Sequence, residues 1–251
     1  PPPPPARTPN PPLPLSVPRP LTGARRALAV RSRRAVIGLR CKDGVVLGAE
    51  QPVVSKLHVG AGGGGRRLHT VDVGMGVAVS GVLPDGRQIA NRAAAEASNY
   101  KSFYGEAMPG HVMCDRLAAF SHLFTLYWHL RPMGTCALLA AYDKNGPQLY
   151  QVDPSGVSHR FFGTATGKGK QQAKTQIEKL NLEELTCREA VKEIARIIHT
   201  VHDEAKDKPF ELEMSWVCDE TERRHERVPR DLVREADEAA KRALEEADMS
   251  D

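Results

Sequence analysis

The glycine-rich segment 163–169 has a spacing that could support chemistry, because loops of this kind cradle phosphate groups at the start of a helix. It reads Gly-Thr-Ala-Thr-Gly-Lys-Gly and stands between a predicted strand and a predicted helix. The segment has one residue too few before Gly167-Lys168 for a phosphate-binding loop. In addition, Gly169 stands where such a loop needs a magnesium-binding Ser or Thr. We therefore interpret it as a glycine-rich entry to the following helix.

Residue types that bind metals occur at two kinds of place. His199 and His202 share a helix face at i, i+3 and are followed by Asp203 and Glu204. A metal site there is one hypothesis, but we favour polar residues on a helix surface or at an interface. The cysteines lack a C-x-x-C pair and so lack the close ligands typical of structural zinc. We expect no metal or cofactor, and cysteines that act as small core residues in a reducing compartment. The five cysteines are Cys41, Cys114, Cys136, Cys187 and Cys218.

Composition limits the classes of protein that the chain can belong to. A length of 251 residues with 41% hydrophobic residues allows one sizeable core. No apolar run approaches the ~20 residues needed to span a bilayer, so we expect no membrane partner. The net charge of +4 is concentrated at one end, because seven arginines precede Ala35 and no acidic residue precedes Asp43. The rest is close to neutral and shows no basic face with interleaved aromatic residues, so we expect no nucleic-acid partner.

Residues 1–34 differ from the rest of the chain in composition. Proline dominates residues 1–20 and disfavours both helix and sheet, which predicts a disordered or polyproline-like segment. The arginine-rich part fits a transit peptide, or a nuclear-import or SH3-ligand segment. We favour a third interpretation, an atypical or wrongly delimited N-terminus, because the chain opens on Pro1. The predicted domain covers residues 35–247, and residues 248–251 form an acidic tail end.

After Arg34 the sequence alternates blocks of strand and helix. Alternating β-branched residues between turn signals predict strands at 35–50, 68–80, 133–142, 148–152, 157–165, 210–218 and 225–228. Helical periodicity and capping boxes at Asp85 and Thr186 predict helices at 85–103, 110–130, 168–180, 186–201 and 231–247. This order indicates an α+β protein with antiparallel strand pairs. We predict a four-layer αββα sandwich, in which two antiparallel sheets lie between helix layers.

The first predicted strand pair, Ala35 to Glu50, turns at Asp43-Gly44 as a β-hairpin does. This hairpin, and several longer strings, resemble the α-type subunits of the eukaryotic 20S proteasome. The resemblance implies the N-terminal-nucleophile hydrolase fold, which is this four-layer sandwich. It extends from Ala35 to about Glu246, but the family's gate tail and first helix have no counterpart in residues 1–34. The matching strings include RCKDGVV at 40–46, PDGRQIANRAAAEASNY at 84–100, KTQIEKL at 174–180 and most of 188–217.

The resemblance places Arg34 at the position where catalytic members of the family carry their threonine nucleophile. Glu50 takes the acid position, and Arg67 falls at or next to the lysine position. Arginine neither attacks a carbonyl nor acts as a neutral base, so we predict a non-catalytic subunit. Two alternatives remain open. One is an active hydrolase, for which Ser32 is the nearest hydroxyl, and the other is a divergent copy that does not enter the particle.

The resemblance also implies partners and a cellular location. The expected partners are neighbouring α subunits, a ring of β subunits, and a regulatory particle or other activators. The expected location is the cytoplasm and the nucleus. In the family, the basic residue at the place of Arg67 lines a pocket for the C-terminal carboxylate of an activator tail. Arg67 is therefore a candidate for activator docking, and a solvated arginine beside Arg66 is the alternative.

Overall fold

The computed structural model describes residues 34–53, 57, 65–202 and 209–248. The predictions for the arginine-rich leader, for Ser32, Asp203 and Glu204, and for the last three residues lie outside this part of the chain. Within it, ten strands and five helices are defined. The strands are β1 (Val36–Arg40), β2 (Gly44–Pro52), β3 (Leu68–Asp72), β4 (Met75–Gly81), β5 (Thr135–Asp143), β6 (Gly146–Val152), β7 (Ser158–Phe161), β8 (Gly163–Thr166), β9 (Phe210–Cys218) and β10 (His225–Arg227). The helices are α1 (Leu83–Tyr104), α2 (Gly110–Leu126), α3 (Lys170–Ile177), α4 (Cys187–Val201) and α5 (Arg230–Asp248).

The strands form two five-stranded sheets, in which neighbouring strands are antiparallel. The first sheet has the order β10-β9-β2-β1-β8, and the second has the order β3-β4-β5-β6-β7. In the first sheet, β1 and β2 form the predicted hairpin, with Val36 opposite Ala49 and Arg40 opposite Val45. The long strand β9 pairs with the whole of β2, from Gly44↔Cys218 to Pro52↔Phe210.

Side chains of the first hairpin alternate between two apolar layers, which explains why both of its strands are almost continuously hydrophobic. Ile37 and Leu39 contact the helices α3 and α4, while Val36 and Leu47 contact the second sheet. Strands buried on both faces require apolar residues at successive positions rather than at alternate ones. Gly48 is needed on the helix side, since a side chain there would collide with Ile194 of α4. The helix therefore lies close against β2.

The layers follow the predicted order. Helices α3, α4 and α5 cover the first sheet, whereas α1 and α2 cover the second. A third apolar cluster fills the space between the two sheets. The αββα sandwich predicted from the sequence is thus confirmed. In the described part of the chain, the helices are too short or too polar to cross a bilayer.

Three details of the secondary structure differ from the prediction. The single strand predicted at 157–165 is wrong, because the chain breaks at Phe162 into β7, which pairs with β6, and β8, which pairs with β1. One segment therefore contributes to both sheets. The second helix ends at Leu126, four residues before the predicted end, and Tyr127 has extended backbone.

The third difference concerns the start of α1, where no capping box forms. The helix begins at Leu83 with Val82 as its N-cap, so Asp85 lies inside the first turn. Its carboxylate accepts hydrogen bonds from Arg131 Nη1 and Nη2 at 2.6 and 2.5 Å and from the backbone of Gly134 at 2.9 Å. Burial opposes ionisation of Asp85, but these hydrogen bonds outweigh it and hold its pKa below the usual value. Asp85 fixes the loop before β5 rather than capping a helix.

Candidate functional site

The position that the resemblance assigns to a nucleophile is occupied by a cation in an ion pair. Arg34 precedes β1, and its Nη1 lies 2.7 Å from Oε1 of Glu50 on β2. The other oxygen of Glu50 accepts a hydrogen bond of 3.2 Å from the backbone N–H of Ala35. The hairpin register makes this geometry, since it brings the start of β1 beside the end of β2. The structure thus brings Arg34 and Glu50 together.

A second basic residue completes the surroundings of Glu50. His202, the C-cap of α4, places Nδ1 3.0 Å from Oε1 of Glu50. Both side chains are almost fully buried, with 6% and 5% of their surface exposed. A buried carboxylate with hydrogen-bond partners on both oxygens has little capacity left to orient a further group.

Arg67 lies just before β3 and points into the protein. Only 4% of the residue is exposed, and its Nη1 donates to the carbonyl oxygen of Val79 at 3.3 Å. The backbone N–H of Arg67 donates to Oε2 of Glu213 at 3.1 Å, and Arg227 Nη2 lies 3.2 Å from the other oxygen of Glu213. Burial raises the pKa of Glu213. Arg67 is thus an internal residue, so the alternative of a solvated arginine is wrong, and its role as a tail pocket stays a prediction.

Among the described residues, the position that the resemblance assigns to a nucleophile carries an arginine rather than a hydroxyl or thiol. An arginine side chain carries only donors, and the oxygen of Glu50 nearest to it is occupied by that arginine. Arg67 cannot serve as a neutral base at any physiological pH. The contacts of Glu50 with Arg34, Ala35 and His202 therefore join the start of β1, the end of β2 and the end of α4.

The glycine-rich segment at 163–169 serves a structural purpose. Gly163 to Thr166 form β8, and Gly169 is the left-handed N-cap of α3 with φ of 64°. A side chain at Gly169 would collide with Val201, so glycine is required there by the close approach of α4. The segment is the helix entry that we inferred.

The part of the interpretation that placed His199 and His202 on an exposed helix surface is wrong, whereas a place at an interface stays a prediction. His199 is 7% exposed, and its Nε2 lies 2.7 Å from Oδ1 of Asp237 on α5, whereas His202 turns to Glu50. The two rings therefore have separate carboxylate partners rather than a shared ligand position. The sequence could not show this, because both partners are distant along the chain and their positions depend on how the layers pack.

The structure also brings together two cysteines that the sequence keeps 146 residues apart. The sulfur atoms of Cys41 and Cys187 and a carboxylate oxygen of Asp43 all lie within 4.8 Å of one another. Cys41 follows β1, Asp43 is in the hairpin turn, and Cys187 is the first residue of α4. The carboxylate of Asp43 accepts a hydrogen bond of 2.9 Å from the backbone of Cys187. This hydrogen bond connects the hairpin turn to the helix layer. No short-range sequence motif predicts it, because the two residues are far apart in the chain.

Comparison with known proteins identifies the class to which this fold and site belong. A family model described as "Proteasome subunit" matches residues 31–217. The chain therefore belongs to the proteasome subunit family, and the resemblance predicted from its sequence is confirmed.

The similar proteins narrow this class further. The chain is 56% identical to proteasome subunit alpha type-3 of Spinacia oleracea over 222 residues, which cover 88% of each protein. It is 54% identical to the type-3 subunit of Acanthamoeba castellanii over 226 residues, which cover 90% of this chain and 89% of that protein. To the probable proteasome subunit alpha type-7 of Saccharomyces cerevisiae it is 40% identical over 220 residues, 86% of this chain and 76% of that protein. The chain is accordingly a non-catalytic, α-type member of the family.

Proposed function

We propose that the chain works as one subunit of the α ring of the 20S proteasome, alongside other α subunits and above a ring of β subunits that cut the substrate. Its contribution is geometric. It templates the ring, narrows the entry of unfolded and mostly ubiquitin-tagged substrates, and offers docking positions to activators. The expected location is that of the particle, in the cytoplasm and the nucleus.

The ion pair between Arg34 and Glu50 is the observation that carries this proposal. At the position that the resemblance assigns to the nucleophile, the pair joins the start of β1 to the end of β2 and supplies an arginine in place of a hydroxyl. A subunit without its own nucleophile fits a structural role in the ring.

Size fractionation of a cell extract containing the tagged chain tests the proposal. The chain should migrate in a particle near ~700 kDa, the mass expected for about twenty-eight subunits of this size in a closed, two-ended assembly. Peptidase activity sensitive to a threonine-directed inhibitor should migrate with the particle, while the isolated chain should have none. A chain that stays at the mass of a monomer would overturn the proposal. Activity of the isolated chain, together with a new N-terminal Thr or Ser next to β1, would favour the hydrolase alternative, which the comparisons do not favour.

Activator docking at Arg67 is a finer part of the proposal. The family role of this position supports it, whereas the burial of Arg67 means that a tail carboxylate must displace the atoms that cover the guanidinium. A charge-assisted hydrogen bond of this kind contributes roughly 1.5–3 kcal/mol. Replacing the cation should therefore weaken the binding of a tail peptide roughly 10- to 150-fold.

The matched variants are Arg67→Ala and, as a control on the neighbouring exposed position, Arg66→Ala. Binding of an activator's C-terminal peptide to the assembled particle should weaken in the first variant and not in the second. An amidated peptide, which lacks the carboxylate, should bind equally weakly to all forms. Equal affinity of the Arg67→Ala and wild-type particles for the free-acid peptide would leave Arg67 with a structural role only.

A further inference from the structure

The cysteines divide into two groups according to what their sulfur atoms contact. Cys136 donates to Asp153 at 3.3 Å, Cys218 contacts the hydroxyl of Thr221 at 3.8 Å, and Cys114 bonds with Ser158. These three sulfurs meet oxygen atoms. Cys41 and Cys187 differ because each has the other's sulfur nearby as well: the two sulfur atoms and a carboxylate oxygen of Asp43 all lie within 4.8 Å of one another.

The distance between the two sulfur atoms is short enough for them to be joined. A disulfide needs an S–S length of about 2.05 Å. The sulfurs lie within 4.8 Å of each other, so rotation of the two side chains must bring them together by less than about 3 Å. The backbone between the two residues is held by the hydrogen bond from Cys187 N–H to Asp43 and by one of 3.2 Å from Lys42 N–H to the carbonyl of Leu185. These two bonds keep the thiols opposite each other.

A small oxidant has a route to one of the two sulfurs. Cys41 lines a cleft of about 230 Å³ whose walls include Lys42, Leu182 and Glu183, together with Arg40 stacked 5.1 Å from the ring of Phe162. Both cysteines are buried, with Cys41 3% and Cys187 1% exposed, and of the two only Cys41 lines this cleft. The cleft holds a molecule of the size of water or hydrogen peroxide more readily than a tripeptide disulfide.

We propose that Cys41 and Cys187 form a redox-active dithiol, which a small peroxide converts to an intrachain disulfide between the hairpin turn and α4. This goes beyond the proposed role in the ring and does not depend on it. Cys41 gives up its proton and its sulfur attacks one peroxide oxygen, so that the O–O bond breaks, a sulfenic acid forms and water leaves. The sulfur of Cys187 then attacks the sulfur of Cys41. The S–S bond forms, the S–O bond breaks, and the hydroxyl group leaves as a second water with the proton of Cys187.

The environment of Cys187 slows the second step of this reaction, in which its sulfur attacks that of Cys41. The hydrogen bond with Cys41, then burial, and then the nearby Asp43 all raise the pKa of Cys187, which keeps it a protonated thiol. Thiols react through their thiolate form, so the dithiol should persist in a reducing cytoplasm and yield to sustained rather than brief oxidation. The disulfide would close a loop of 146 residues and connect the sheet directly to its helix layer.

Peptide mapping of the full-length chain tests the proposal without any substitution. Tryptic cleavage after Arg40, Lys42, Lys179 and Arg188 puts the two cysteines on separate peptides, 41–42 and 180–188. After treatment with hydrogen peroxide and blocking of free thiols, the expected product is these two peptides joined with the loss of two hydrogen atoms. Dithiothreitol should separate them, and Cys114, Cys136 and Cys218 should stay alkylatable on denaturation.

A second measurement uses stability. Oxidation should raise the Tm of the wild-type chain by on the order of 5–10 °C, as expected for a cross-link that closes a long loop. Cys187→Ser should abolish this rise, whereas the control Cys218→Ser, in which the hydroxyl keeps Thr221 as a partner, should retain it. A Cys41 that accumulates as sulfinic acid or as a glutathione adduct, with no joined peptides, would overturn the proposal. A stoichiometric metal ion that is released only when both thiols are blocked would overturn it as well, in favour of a metal site.

Discussion

Acidification should destabilise this protein through His225, a buried histidine on β10. Its Nδ1 lies 2.9 Å from the hydroxyl of Thr70, and its Nε2 lies 3.0 Å from the hydroxyl of Ser215. A neutral imidazole has one donor and one acceptor, and hydroxyl groups can serve both. Burial, and then the positive charge of Arg227, lower the pKa of His225 to about 4. The ring is therefore neutral in the folded protein at physiological pH.

The size of the effect follows from the difference between the folded and unfolded states. An unperturbed histidine has a pKa of about 6.5, so the unfolded chain takes up a proton before the folded one does. The stabilisation is thus complete above pH ~6.5 and is lost as the pH falls toward 4. A difference of about 2.5 units corresponds to roughly 3 kcal/mol in total, of which ~2 kcal/mol disappears between pH 7 and pH 4.5.

The substitution that isolates the contribution of His225 to the pH dependence of stability is His225→Gln, which keeps a polar side chain of similar length but does not titrate. Gly76 lies directly against the ring, so the replacement must not be bulkier. Urea unfolding at pH 7 and pH 4.5, followed by the fluorescence of buried Trp216, gives the free energy of unfolding of each protein. Other groups that titrate in this range do so in both proteins. The wild type should therefore lose ~2 kcal/mol more than the variant between the two pH values.

His111 supplies the matched control, because it is exposed at the start of α2. The His111→Gln variant should lose as much stability as the wild type on acidification. If His225→Gln and wild type instead show the same dependence on pH, or if the His225 ring titrates near pH 6.5 by NMR, the reasoning fails. In that case the buried ring must be hydrated or protonated in the folded state.

Three further substitutions test the contacts that hold the layers together, each measured by urea unfolding at pH 7. Arg34→Met should lower the free energy of unfolding by about 3 kcal/mol, because it leaves the buried carboxylate of Glu50 without its arginine. The variant should gain no peptidase activity. An unchanged stability would show that His202 compensates fully for the lost arginine. Asp85→Asn should cost roughly 2 kcal/mol through the loss of its charge-assisted hydrogen bonds. It should also reduce the dependence of stability on pH below about 4, where the unfolded wild-type chain takes up a proton at this carboxylate before the folded protein does. An unchanged acid profile would contradict the lowered pKa of Asp85. Thr186→Ala should lower the free energy of unfolding by about 1 kcal/mol, because it removes the capping box of α4. A loss below roughly 0.3 kcal/mol would mean that the hydrogen bond from Cys187 N–H to Asp43 is sufficient to cap the helix.

Features that depend on neighbouring residues were predictable from the sequence. The capping box of Thr186 and Glu189 forms as expected, with Glu189 Oε2 accepting from Thr186 N–H at 2.9 Å. The first two strands form the expected hairpin, although its turn lies at Lys42 and Asp43, since Cys41 N–H donates to the carbonyl of Gly44, the first residue of β2, at 2.7 Å. Capping and turn geometry are decided within a few residues, so their signals survive without knowledge of the rest of the chain.

Features that depend on packing were not predictable. Asp85 has the spacing of a cap, but it binds Arg131, which is 46 residues away. The segment at 157–165 has the composition of one strand, yet it supplies two because both sheets have an edge within its reach. In each case a contact with a residue or strand distant in the chain replaced the local structure that the sequence pattern predicts.

The sequence by itself determined the class of this protein: the order of strands and helices, the hairpin that opens the domain, and an arginine where a nucleophile would be required. These follow from residue type and position, which do not change on folding. Only the tertiary structure decided what the remaining polar groups do. Arg34 and His202 both contact Glu50, Arg67 turns inward, and Cys41 lies beside Cys187. Burial removes water, so each of these groups is stabilised by partners that are distant in the chain.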